Sequence, residues 1–119
     1  MRITRALCIC LVLIQIVSMI YLINEVDADG IGPEITDVYH VPRNPIYGDD
    51  VTVYATVTDQ DDVKWVQLTY CGDDVCHLPI SMVDPDLDDV YTATIPWNEN
   101  WENGTVMYYE IDAQDELDN

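Results

Sequence analysis

Residues 51–58, VTVYATVT, alternate without a break: Val51, Val53, Ala55 and Val57 fall on one side, Thr52, Tyr54, Thr56 and Thr58 on the other. Successive side chains of an extended strand point to opposite faces, so this pattern gives a β-strand with one buried and one wet face. The β-branched valines and threonines add to the same preference. The rest of 34–113 repeats the theme. EITDVYHV (34–41) ends at PRNP, and KWVQLTYC (64–71) turns Val66, Leu68 and Tyr70 inward and Trp65, Gln67 and Thr69 outward. A shorter strand is expected at 76–82. VYTATIP (90–96) offers Tyr91, Ala93 and Ile95, and TVMYYEIDA (105–113) offers Met107, Tyr109, Ile111 and Ala113. No long stretch there has helical periodicity. Strands with one apolar face must bury it against one another, which calls for two antiparallel sheets packed face to face, an all-β sandwich.

A different pattern precedes it. Arg2 and Arg5 lead into ALCICLVLIQIVSMIYLI (6–23), a run with no charge. It is longer than the roughly 7–15 residues of a signal-peptide core and just long enough for an apolar helix to span a bilayer. Val26 and Ala28 have the small-residue spacing of a signal-peptidase site. Residues 1–28 therefore read either as a retained anchor or as a cleaved signal peptide. Either way the remainder lies outside the cytoplasm, because the arginines precede the segment and acid follows it. A buried helix of a soluble fold is the remaining alternative, and the rest of the chain offers it little to hide against. Cys8 and Cys10 read as apolar residues of the run.

Export bears on YCGDDVCHLPI (70–80), which holds the other two cysteines. Cys71 and Cys76 flank GDDV, a turn-forming tetrapeptide, so they face each other across a hairpin, and outside the cytoplasm such a pair oxidises. A disulfide is the first reading, with free thiols and a zinc site as alternatives. Zinc would draw on Cys71, Cys76, His77 and His40, but the CxxC spacing of zinc knuckles and of redox pairs is absent.

The chain carries 23 acids against four Lys+Arg, a net charge of −19. Setting aside Glu25 and Asp27 leaves residues 29–119 with 21 acids against Arg43 and Lys64. Repulsion excludes nucleic acid and anionic lipid as partners. A solvated surface in a salty medium, calcium at defined loops, and attraction to a basic partner each explain such acidity. Sorting the strand connections by pole gathers 59–62 (DQDD), 84–89 (DPDLDD) and 115–118 (DELD) at one end, beside the N-terminal linker. If calcium binds, its ligands come from Asp59, Asp61, Asp62, Asp84, Asp86 and Asp88, since calcium takes six to eight hard oxygens. Asp84, Asp86 and Asp88 begin like an EF-hand, but Asp89 stands where Gly is needed and Ile95 where a bidentate Glu belongs. No other cofactor is expected.

The opposite pole collects 42–50, 72–75 and 97–104 (WNENWENG). Trp97 and Trp101, beside Tyr47 and Ile46, either stack on sugar rings or anchor a protein partner, or else fold back to plug the open end of the sandwich. Asn103-Gly104-Thr105 is a glycosylation sequon on an exported loop. Catalysis finds no footing. Ser81 is the only serine outside the apolar run, His40 and His77 sit near strand ends, and no Gly-rich phosphate loop occurs.

Taken together, GPEITDVYHVPRNPIYGDDVTVYATVTD, VKWVQLTY, the hairpin leading through Met82 to VYTATIP, and GTVMYYEIDAQDELDN resemble an immunoglobulin-like, fibronectin-type-III-like module of archaeal and bacterial surface proteins. The resemblance spans about residues 32–119. It implies an Ig-like β-sandwich and a spacer, adhesive or binding role that is rarely catalytic. The expectation is an exported, non-catalytic cell-surface module meeting protein or glycan. The alternatives are an assembly subunit completed by a strand from a neighbour and an acidic calcium-binding spacer. AQDELDN is where such modules turn into a last strand, so the strand at 105–113 is expected to present an open edge. Self-association, a longer product or the shifted N-terminal strand 34–41 would cover it.

Overall fold

The computed structural model describes residues 30–119; the expected leader, 1–28 with its apolar core 6–23, lies outside the described residues. Seven strands follow one another: β1 (Glu34–Val41), β2 (Val51–Thr58), β3 (Val63–Gly72), β4 (Val75–Cys76), β5 (Ile80–Ser81), β6 (Val90–Ile95) and β7 (Met107–Asp115). They form two antiparallel sheets, with no helix among the described residues.

The alternating segment 51–58 is the centre of the first sheet, where β2 lies between β1 and β6. In the second sheet β3 is central. It pairs with β7 from Val63↔Asp115 to Gly72↔Met107, and its other side carries β4 and β5. The inward sets read from the sequence are those observed. Val51, Val53, Ala55 and Val57 of β2 are buried with Val66, Leu68 and Tyr70 of β3, joined by Met82, Ala93 and Ile95. Each of the valine, leucine, isoleucine and methionine side chains among them contributes about 1.5–3 kcal/mol by leaving water. Truncating Leu68, which is wholly buried, to Ala would cost about 2–5 kcal/mol, because the cavity closes only in part.

The two flanks of the sandwich are built differently. On one, the chain crosses between the sheets: the Met82 N–H donates to the Val66 carbonyl at 2.8 Å, and Val83 exchanges both backbone hydrogen bonds with Thr92. On the other, the edges of β1 and β7 meet through His40 and the Tyr109 hydroxyl, hydrogen-bonded at 3.1 Å with their rings edge to face.

Three details depart from the sequence reading. The segment 76–82 splits into β4 and β5 around His77–Pro79, where Pro79 has no N–H to give a ladder. The strand expected at 105–113 lies at Met107–Asp115, because Gln114 and Asp115 still pair with Trp65 and Val63. β1 keeps its expected bounds, stays in the first sheet, and bulges between Thr36 and Tyr39, where Asp37 takes a φ of 49°.

Candidate functional site

The acidic pole assembles as its loops foretell. The 59–62 turn and the 84–89 loop line a hollow of about 250 Å³ that includes Asp59, Asp62, Asp84, Asp89 and Tyr91. The Asp89 carbonyl accepts the Val57 N–H at 2.9 Å, and the Asp62 carbonyl accepts the Glu116 N–H at 3.0 Å, so all three acidic segments are tied together. Tyr91 has its pKa raised, first by burial and then by the carboxylates of Asp84 and Asp89.

Among the described residues, Asp59, Asp61 and Asp115 bring carboxylate oxygens within 4.8 Å of one another. This group overlaps the expected calcium set only in part. Asp84 turns its carboxylate to its own loop, accepting N–H groups of Asp88 (3.2 Å) and Asp89 (2.9 Å), and Asp88 accepts that of Val90 (3.2 Å). Asp86 is exposed. Asp59 accepts the Asp61 N–H at 2.7 Å. Asp115, wholly buried, accepts N–H groups of Leu117 (2.9 Å) and Asn119 (2.8 Å) and the Asn119 side-chain amide (2.9 Å). Three carboxylates, two of them already serving N–H donors, make a sparse start on a calcium shell of six to eight oxygens. The same donors explain why acids can crowd here: each carboxylate on a backbone N–H stabilises a turn, and Lys64 is paired with Asp118.

The aromatic pole is an open cleft of about 380 Å³ between the loops 42–50 and 96–106, walled by Ile46, Tyr47 and Asp49 on one side and by Trp97, Trp101 and Asn103 on the other. Both loops are held by tight turns. Asp49 donates its N–H to the Ile46 carbonyl (3.1 Å) while its carboxylate accepts the Ile46 N–H (2.9 Å). Gly48 between them has a φ of 96°, a conformation that a Cβ disfavours. The Trp101 N–H reaches the Asn98 carbonyl at 3.0 Å, and the Trp97 N–H reaches the Asp50 carboxylate at 2.7 Å, which joins one loop to the other.

The two tryptophans sit differently. The Trp101 ring folds back over Gly72, whose missing side chain would meet Nε1 at 3.2 Å, and stands edge-on to Tyr70 and His77. Trp97 stands at 81° to the ring of Tyr47, centroids 5.4 Å apart, and its buried Nε1 has no acceptor among the described residues. Tyr47 and Ile46 are exposed by 55% and 75%, and Glu102 and Asn103 are exposed beside them. The cleft can hold a ring's apolar face against aromatic walls and its polar edge against Asp49, Glu102, Asn103 and Thr105.

Cys71 and Cys76 form a disulfide across the β3–β4 hairpin, so neither sulfur is left for zinc. His77 stacks on Tyr70 at 4.6 Å, while His40 is engaged with Tyr109 and the Arg43 carbonyl. No family model, curated protein or solved structure matches this chain.

Asp115 was missing from the expected set, although a signal for it exists. It falls on the inward parity of 107, 109, 111 and 113, and a carboxylate at a core-facing position needs N–H partners. The rim acids Asp49 and Glu102 carry no comparable mark in sequence.

Proposed function

We propose that this chain is an exported, non-catalytic binding module of immunoglobulin-like form that meets neutral glycans at the cell surface through its aromatic pole. The observation carrying this reading is the open cleft lined by the packed Tyr47–Trp97 ring pair together with Trp101. Sugars present apolar C–H faces and a rim of hydroxyls, which suit aromatic walls edged by carboxylates and amides. The ligand is neutral because a chain of net charge −19 repels acidic glycans. Export is supported by the Cys71–Cys76 disulfide, which persists in oxidising compartments. The two-sheet arrangement with crossing at Met82 and Val83 supports the immunoglobulin-like form.

Titrating the protein with a panel of neutral oligosaccharides, read by tryptophan fluorescence, tests the reading. A saturable change is expected with at least one of them, weakened tenfold or more by Tyr47→Ala and by Trp97→Ala with the fold intact. No saturable change across the panel, with Asn103→Gln included, would sink it. That variant matters because Asn103 lines the cleft, so a glycan attached there would cover the site from within.

A further inference from the structure

Two sheets have four edges, and three of these are blunted. β1 bends at the bulge beside Asp37. β6 is covered by Val83, which bonds Thr92 in both directions. β4 and β5 are only two residues each. β7 is the exception: nine residues without Pro or Gly, regular from Trp65↔Gln114 to Gly72↔Met107, with no strand on its outer side among the described residues. A long flat edge of free N–H and C=O groups is a template for another strand unless something guards it.

Its guards are Glu110 and Asp112, which alternate outward with Tyr108, itself 53% exposed. They also select the occupant. If a second copy paired along the full length of β7, antiparallel about Ile111, Glu110 would face Asp112 twice, and like charges directly opposite are destabilising. A net charge of −19 on each copy adds to that repulsion. We propose that β7 takes an extended segment of a basic partner, with Lys or Arg at alternate positions opposite Glu110 and Asp112. Apolar residues between them would point inward beside Tyr109 and Ile111. Backbone hydrogen bonds would give the affinity and the alternating cations the selectivity.

Amide hydrogen exchange of the whole chain, followed by NMR, tests this with three nine-residue peptides. One alternates Val and Lys, one alternates Val and Glu, and one is the Val/Lys peptide with Pro at every other residue. The Val/Lys peptide should slow exchange at least tenfold at alternate amides of Met107–Asp115, and the other two should not. The Glu110→Lys/Asp112→Lys variant, altered only at exposed positions, should reverse the preference towards the Val/Glu peptide. Three results overturn the proposal. The first is no protection of β7 by the Val/Lys peptide. The second is equal effects from the Pro-containing peptide, which would reduce the interaction to bulk charge. The third is concentration-dependent protection of β7 without any peptide, which would make a second copy the occupant.

Discussion

Asn119 folds back onto Asp115, giving its backbone N–H to Oδ1 at 2.8 Å and its side-chain amide to Oδ2 at 2.9 Å, while its carbonyl accepts the Asp115 N–H at 3.2 Å. The turn after β7 is thus organised around a carboxylate with no solvent exposure. A buried charge costs free energy unless donors replace the lost water, and here three N–H groups do so. The same turn carries Asp118 to Lys64 of β3 and brings Asn119 beside Gly32, so it closes the acidic pole.

The first prediction concerns acid. Burial works to raise the Asp115 pKa, but the N–H donors of Asn119 and Leu117, aided by the Lys64 ammonium, outweigh it and hold the carboxyl below its ordinary 3.8. A carboxyl whose pKa falls on folding stabilises the fold above its unfolded value, and that contribution fades as pH drops through the folded value. Asp115→Asn should therefore melt below the parent protein at pH 7, with the gap narrowing once pH falls under 3.8. Melting curves from neutral pH to about pH 2 check it. A gap that does not change with pH would show that the ionised carboxylate is not what matters.

Gly72 and Trp101 give the second. A Cβ at position 72 would come within 3.2 Å of Trp101 Nε1, 3.3 Å of its Cε2 and 3.4 Å of Met107 Cγ. Met107 can shift its flexible side chain, but the Trp101 ring, edge-on to Tyr70 and His77, does not give way easily. Gly72→Ala should cost about 1–3 kcal/mol as overpacking and shift tryptophan emission towards the red as the ring loosens. Denaturant unfolding with fluorescence detection reads both. Unchanged stability and emission would mean that Trp101 is not packed over Gly72.

The β3–β4 hairpin carries the third. Gly72 and Val75 pair across a two-residue turn whose central residues, Asp73 and Asp74, have φ of 51° and 63°. Positive φ at both positions is the hairpin turn that favours Asn-Gly, and each non-glycine residue there costs about 1 kcal/mol. The Cys71–Cys76 disulfide offsets that strain: in the chain-entropy model a loop this short contributes about 2 kcal/mol. Asp74→Gly should thus stabilise the protein by about 1 kcal/mol, and Cys71→Ser/Cys76→Ser should destabilise it by about 2 kcal/mol. Alkylation of the unreduced protein should label neither Cys71 nor Cys76.

How much of this was legible depended on the range of the interaction. β2 carries its expected bounds because strict alternation is a local property, readable wherever each residue's face is set by its neighbours; β1 keeps its bounds too, but its alternation breaks at the bulge, which the sequence did not mark. The break between β4 and β5 was harder, since it hangs on Pro79 and on His77 finding the ring of Tyr70. The poles could be sorted by counting connections. What each carboxylate does there could not, because Asp84 serves Asp88 and Asp89 whereas Asp115 serves a turn that only three-dimensional closure defines. The packing of Trp101 over Gly72 could not be read, because the two are far apart in sequence.

The fourth prediction sets salt against calcium. Residues 29–119 hold 21 acids beside Arg43 and Lys64, so the folded domain concentrates negative charge that the unfolded chain spreads out. Screening relieves that repulsion, and the screening length shrinks from about 10 Å at 0.1 M salt to about 3 Å at 1 M. Sodium chloride over that range should raise the melting temperature by on the order of 5 °C, the shift that about 1 kcal/mol produces in a domain of this size. Calcium chloride at matched ionic strength should give the same shift, because Asp59, Asp84, Asp88 and Asp115 already spend oxygens on backbone N–H groups. The opposite result is as informative. A calcium effect well above that of sodium, abolished by Asp59→Asn and untouched by Asp86→Asn, would place an ion on the Asp59, Asp61 and Asp115 carboxylates and make the acidic pole a calcium site.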